Sequence, residues 1–227
     1  MCINLKKVYV MYKAVIFDLD GTLTDTLESM AVAGNKTLEY VGLKPREIDE
    51  YRYYVGDGAK VLVKRFLKAA GDRECINFNK AYDAYMKQFA LDCTYKVKVY
   101  DGIMDMINSL KEKGIKLAVL SNKPHDRAVE VVDRFFEKNT FDIVQGHIEG
   151  ASKKPEPSGA INMAKELDVL ASECIYVGDT DVDMQTGKNA NMYTVGVTWG
   201  FRDEKELREN GADMIIDNPL ELVSKTF

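Results

Sequence analysis

Ala14-Val15-Ile16-Phe17-Asp18-Leu19-Asp20-Gly21-Thr22-Leu23-Thr24-Asp25-Thr26 is the stretch whose reading decides the fold. Four apolar residues run directly into two carboxylates spaced by one residue, followed by a glycine and several threonines. A short, wholly apolar run of this kind suits a strand buried on both faces of a parallel sheet. Such sheets carry their binding sites at the carboxyl ends of the strands, where Asp18 and Asp20 are expected. Adjacent strand side chains diverge to opposite faces, whereas an i, i+2 pair can converge on one site. Gly21 lets the backbone turn sharply after them.

Outward from this strand, the composition limits the function classes. The 227 residues suit one α/β core with a modest insertion, and 46% hydrophobic with 30% charged residues marks an ordinary globular chain. A net charge of -5 argues against a dedicated nucleic-acid binder. No apolar run approaches the roughly 18 residues of a membrane span, so no membrane partner is expected. The opening Met1-Cys2-Ile3-Asn4-Leu5-Lys6-Lys7 lacks the pattern of a secretory signal, and residues 1–10 read as an N-terminal extension. Cys2, Cys75, Cys93 and Cys174 form no C-x-x-C and are expected to be reduced, with the cytoplasm as default location.

The texture changes between residues 25 and 94, where strand signals nearly vanish. Met30, Ala33, Thr37, Leu38 and Val41 recur at helical spacing; so do Val61, Leu62, Phe66 and Ala69, and then Tyr82, Tyr85, Met86 and Phe89. This predicts a helical insertion after the first strand. From residue 95 onward strands and helices alternate: Ile115–Leu120, Phe141–Val144, Cys174–Val177, Tyr193–Val197 and Met214–Ile216 are the predicted strands. The pattern gives a doubly wound parallel sheet with right-handed crossovers. The α/β core is expected over 11–24 and 95–227, with the insertion as a small helical cap over 25–94.

Polar groups follow the strands in a fixed order: Asp18-Leu19-Asp20-Gly21-Thr22, then Ser121-Asn122, then Lys154-Pro155, then Gly178-Asp179 with Asp183. Taken singly, Ser-Asn is an ordinary turn and Lys153-Lys154 an ordinary solvated pair; the ordered set is the signal. It resembles the haloacid dehalogenase superfamily of phosphohydrolases over nearly the whole chain. Tyr100-Asp101-Gly102-Ile103, Leu117–Lys123, Lys154-Pro155-Glu156-Pro157 and Val195–Gly200 are similar to the phosphoglycolate phosphatase subgroup, with Asp101 departing from the proline often found there.

The resemblance implies an Mg²⁺-dependent phosphatase. Asp18 would be the nucleophile that forms an aspartyl-phosphate, and Asp20 the acid and base that serves the leaving oxygen and then water. Asp18, Asp179 and the main-chain carbonyl of Asp20 would hold the metal. Asp183 would support the site by bonding Lys154 or a metal-bound water, and Ser121, Asn122 and Lys154 would bind or position the phosphoryl group. Phosphoglycolate is the expected substrate, with pyrophosphate, a nucleoside monophosphate or a sugar phosphate as alternatives. A catalytically silent phospholigand- or protein-binding scaffold is the non-enzyme alternative; it is disfavoured because all four motifs are intact. Gly56-Asp57-Gly58 reads first as a turn. The sharper expectation is a cap loop that reaches over the substrate, with Gly58 against it and Arg65 or Lys60 meeting a carboxylate. Trp199 is expected to pack at a strand end, His125 and His147 to have no catalytic part, and the assembly to be monomer or homodimer.

Overall fold

The computed structural model describes residues 11–227; the extension expected over 1–10 lies outside the described residues. In chain order the elements are β1 (Ala14–Phe17), β2 (Thr24–Asp25), α1 (Leu27–Tyr40), a 3₁₀ segment (Ile48–Tyr53), α2 (Ala59–Ala69), α3 (Phe78–Leu91) and β3 (Lys98–Val99). Then follow α4 (Ile103–Glu112), β4 (Lys116–Pro124), α5 (His125–Phe135), β5 (Ile143–His147), α6 (Ser158–Glu166) and β6 (Cys174–Gly178). The chain closes with α7 (Asp181–Asn189), β7 (Tyr193–Val197), α8 (Glu204–Glu209), β8 (Met214–Ile216) and α9 (Leu220–Thr226).

Six strands form one parallel sheet in the order β5-β4-β1-β6-β7-β8. β1 is central because it is apolar on both faces: Ala14, Val15, Ile16 and Phe17 are fully buried. Val15 and Phe17 join the cluster that extends into the helical insertion, whereas Ala14 and Ile16 pack on the other face with Ala160 and Met163 of α6. This is the period-two alternation of a strand. Each such large apolar side chain contributes about 1.5–3 kcal/mol when removed from water. Successive connections run outward from β1 through β4 to β5, then cross to β6 and continue to β8. The winding therefore reverses at β1, and the crevice at such a reversal is where open α/β sheets bind ligands.

Helices α1–α3 pack on one another around Tyr51, Phe66, Tyr85 and Phe89. Tyr85 and Phe89 stack at 5.5 Å, and Phe66 lies 6.0 Å from Tyr85. The chain enters this insertion through β2 and leaves through β3, and the two pair antiparallel, Thr24 with Val99 and Asp25 with Lys98.

Two strand predictions need correction. β4 does not stop at Leu120 but runs on through Ser121, Asn122 and Lys123 to Pro124, with a register shift against β5 after Leu120. β5 begins at Ile143, two residues later than expected, and extends through Gln145 to His147. The cause is Asp142, which is occupied at the start of β4: its carboxylate accepts from the Leu117 N–H at 2.8 Å, and its own N–H donates to the Leu117 carbonyl at 2.7 Å. As an edge strand that is only half-buried, β5 tolerates polar residues that periodicity alone would assign to a loop.

Candidate active site

Each strand that meets the crevice delivers its polar residues to one place. Asp18 follows β1, and its N–H donates to the Val177 carbonyl of β6 at 2.9 Å, so the sheet hydrogen bonding continues into the site. Asp179 follows β6, and Asp183 lies in the first turn of α7. The carboxylates of Asp18, Asp179 and Asp183 lie within 4.8 Å of one another, and all three are buried.

Lys154 is the cation set among them. Its Nζ lies 2.7 Å from Asp18 Oδ1 and 2.7 Å from Asp183 Oδ1. Burial alone would lower the ammonium's proton affinity, but Asp18 and Asp183 outweigh it and hold its pKa well above the lysine value. Asp183 is fixed by the helix it begins: Thr180 donates to Asp183 Oδ2 from its N–H at 3.1 Å and its hydroxyl at 2.6 Å, a reciprocal capping arrangement. Asp179 is held by Thr22 Oγ1 at 2.9 Å and by the Phe201 N–H at 2.8 Å. Gly21, at φ 90°, sits so close that a Cβ there would stand 2.2 Å from Asp179 Oδ2, so no side chain fits.

Three buried carboxylates against one lysine leave two negative charges uncompensated. Burial, then Asp183, pushes the Asp18 pKa up to about 7 despite Lys154; burial, then Asp183 and Asp18, raises Asp179 well above the carboxylate range. An all-oxygen set with this excess charge suits a hard divalent cation, so the residues fit the metal that the sequence implies. The Asp20 carboxylate is not one of the set. It forms an ion pair with Lys123, Nζ to Oδ1 2.8 Å, in a place where the lysine side chain is 2% exposed.

Other expected site residues are placed differently. The Asn122 side chain accepts from the Lys154 N–H at 3.0 Å and donates to the carbonyls of Lys154 at 3.1 Å and Gly56 at 3.0 Å. Both amide hydrogens are thus committed to main-chain carbonyls, and the Asn122 side chain bonds the Lys154 backbone on both sides. Residues 55–58 do cover the strand ends, and a Cβ on Gly58 would stand 3.2 Å from the Asn122 carbonyl. Lys60 and Arg65, however, are turned away: Lys60 pairs with Glu149 at 2.9 Å, and Arg65 with Asp57 at 2.6 Å and the Tyr54 carbonyl at 3.1 Å. Nearer carboxylates and carbonyls took these cations, which helical spacing could not foresee. Trp199 packs at the strand end as expected, with Nε1 donating to the Thr22 carbonyl at 3.0 Å. His125 is tied to the Gly146 N–H through Nδ1 at 3.2 Å.

Lys123, Thr22 and Phe201 are site residues that the sequence reading passed over. Lys123 had a usable signal: if the strand carrying Ser121 runs on, Ser121 and Lys123 are an i, i+2 pair on one face. Both line the cavity between the strand ends and the insertion.

Known proteins resemble this chain over most of its length. Residues 15–197 match the haloacid dehalogenase-like hydrolase family. A phosphoglycolate phosphatase of Aquifex aeolicus is 31% identical over 93% of this chain and 95% of its own. One from Colwellia psychrerythraea is 30% identical over the same shares, 93% and 95%. The crystal structure of a putative phosphoglycolate phosphatase from Lactobacillus delbrueckii superposes with a TM-score of 0.88 at 30% identity, covering 96% of this chain and 99% of that one. On a match that spans most of its length, the chain belongs to the haloacid dehalogenase-like hydrolase family.

Proposed function

We propose that the protein is a phosphatase that hydrolyses a small phosphomonoester, best represented by phosphoglycolate, through an aspartyl-phosphate on Asp18. The observation that carries this reading is the buried set of Asp18, Lys154, Asp179 and Asp183, with Asp20 beside it on the same turn. Lys154 takes Asp18 Oδ1, which leaves Oδ2 to attack phosphorus. As the Asp18–phosphorus bond forms, the ester phosphorus–oxygen bond breaks, and the departing alkoxide takes a proton from Asp20, which must first gain that proton, since its carboxylate is ion-paired with Lys123 in the free protein. Asp20, now a carboxylate, draws a proton from the water that cleaves the acyl phosphate, restoring Asp18 and releasing phosphate. Ser121 and Lys154 supply donors to the phosphoryl oxygens. Asp18 and Asp179, with the Asp20 main-chain carbonyl, would hold Mg²⁺, which when bound offsets the negative charge of the phosphoryl group. Asp183 would keep Lys154 in place.

The insertion closes over Asp18 and leaves a cavity of about 40 Å³ there. Relatives named phosphoglycolate phosphatase support a small substrate. Residues 25–94 would act as a cap that swings on the β2–β3 ribbon to admit substrate and exclude water. Among the described residues, no helix is long and apolar enough to cross a membrane, and Cys75, Cys93 and Cys174 are unpaired, which suits a reducing compartment such as the cytoplasm. The test is phosphate release by the purified protein with Mg²⁺ from phosphoglycolate, pyrophosphate, nucleoside monophosphates and sugar phosphates. Release that survives chelation at full rate would overturn the mechanism. Preference for pyrophosphate would replace the substrate and leave the chemistry.

A further inference from the structure

The cavity above Asp18 is walled on the insertion side by Met30, Val55, Leu62, Tyr85 and Phe89, none of which carries a charge. Among the described residues lining it, Lys123 is the one cationic side chain. The insertion's nearby cations are spent elsewhere, Lys60 on Glu149 and Arg65 on Asp57. Lys123 is not. An ammonium carries three N–H donors; one bonds Asp20 Oδ1 at 2.8 Å, and the Phe89 ring, 4.8 Å from Nζ, gives the charge a second neighbour. A charge buried this deeply is costly unless its remaining donors are satisfied. Asp20 is the residue that meets the leaving oxygen, so the spare donor capacity of Lys123 sits one hydrogen bond further along the leaving group.

We propose that Lys123 is a specificity residue that binds a carboxylate carried by the leaving alcohol one carbon from the ester oxygen. The inference rests on the phosphatase reading and deepens it, because it selects substrates by the second anion rather than by the phosphate. Phosphate esters of short 2-hydroxy acids satisfy the lysine; esters of neutral alcohols of the same size leave it with Asp20 alone. Sites that hydrogen-bond a polar substrate group discriminate strongly against analogues that lack it, because the site's own buried group is then left unpaired.

The experiment compares kcat/KM of the full-length protein with Mg²⁺ on phosphoglycolate and on ethyl phosphate, which replaces the carboxylate by a methyl group. The expected preference is roughly 100-fold, the scale of a desolvated charge pair. In Lys123→Met the preference falls to within about threefold, chiefly through a raised KM for phosphoglycolate, and Lys123→Arg restores most of it. Equal turnover of the two esters by the wild-type protein overturns the inference while sustaining the phosphatase reading, and that result needs no variant to fold. A Lys123→Met protein that loses both substrates in equal proportion also overturns it. Release from neither ester by the wild type overturns the phosphatase reading itself.

Discussion

The floor and the roof of the site are built on opposite principles. On the floor, the polar side chains have fixed partners: Lys154 has two carboxylates, Asp183 has Thr180 and Lys154, and Asp179 has Thr22 and Phe201. These groups come from four strand ends of one rigid sheet. The roof is apolar side chains and a glycine loop carried on helices, joined to the core at residues such as Asn122 and Gly56. Precise electrostatics needs groups that cannot reorganise, whereas a surface that must admit and release a ligand gains from contacts without strict direction. The difference leaves fixed polar contacts, Lys123 on β4 among them, to the floor, and gives the roof a mostly apolar cover over the strand ends.

The comparison breaks most readily at the floor. Asp18→Asn keeps the shape and removes the nucleophile; phosphate release should fall by at least ~10⁴-fold while the melting temperature holds or rises. Retained turnover would show that the floor is not where the chemistry lies.

Next in size is the charge excess. The Asp18 carboxyl, raised to about 7 by burial and then Asp183, keeps its proton in the folded protein after the unfolded chain has lost its own near pH ~4. Between those values the folded state binds more protons, so metal-free stability contributed by this group falls as pH rises. A divalent cation displaces that proton, so its stabilisation grows over the same window. Thermal melts should therefore show a larger gain from Mg²⁺ at pH 8 than at pH 5, by about 3 °C or more. An equal gain at both would remove the acidic set as the metal's holder.

Smaller effects sharpen the roof. Gly58, at φ 82° and close under the Asn122 carbonyl, should resist substitution: Gly58→Ala costs about 1–2 kcal/mol by backbone strain and lowers kcat/KM several-fold through misplacement of the loop. Denaturant unfolding and steady-state kinetics measure the two parts. Least of all is Lys60→Ala. It removes an exposed pair with Glu149 and should leave kcat/KM within about twofold, where a substrate-binding Lys60 would lose far more.

The sequence made some of this legible and hid the rest for physical reasons. The apolar run of β1 and the helical spacing over Phe78–Leu91 coincide with the observed elements, because burial on both faces and a single apolar stripe leave direct patterns. Asp18, Asp20, Ser121, Lys154 and Asp179 were singled out by the ordered set of motifs and the family it resembles, since none of the motifs carries that reading alone. Ser121-Asn122-Lys123 looked like a turn, since polar residues ending a buried strand resemble a loop, and this concealed Lys123. The partners of Lys60, Arg65 and Asn122 were beyond reach for another reason. Lys60 meets Glu149 across 89 positions and Asn122 meets Gly56 across 66, and one-dimensional spacing contains no such distances.

The β2–β3 ribbon has a consequence for how this chain can vary. Thr24 faces Val99 and Asp25 faces Lys98, so the long excursion between them starts and finishes at one hydrogen-bonded rung. To the sheet, everything beyond that rung is a closed loop. The entropic cost of closing a loop rises only with the logarithm of its length, about 0.6 kcal/mol per doubling. The excursion can thus be lengthened, trimmed or exchanged beyond the rung with little change in the energy of the six-stranded sheet. Two paired residues on each side make the joint at which one hydrolytic floor can be refitted with a different roof.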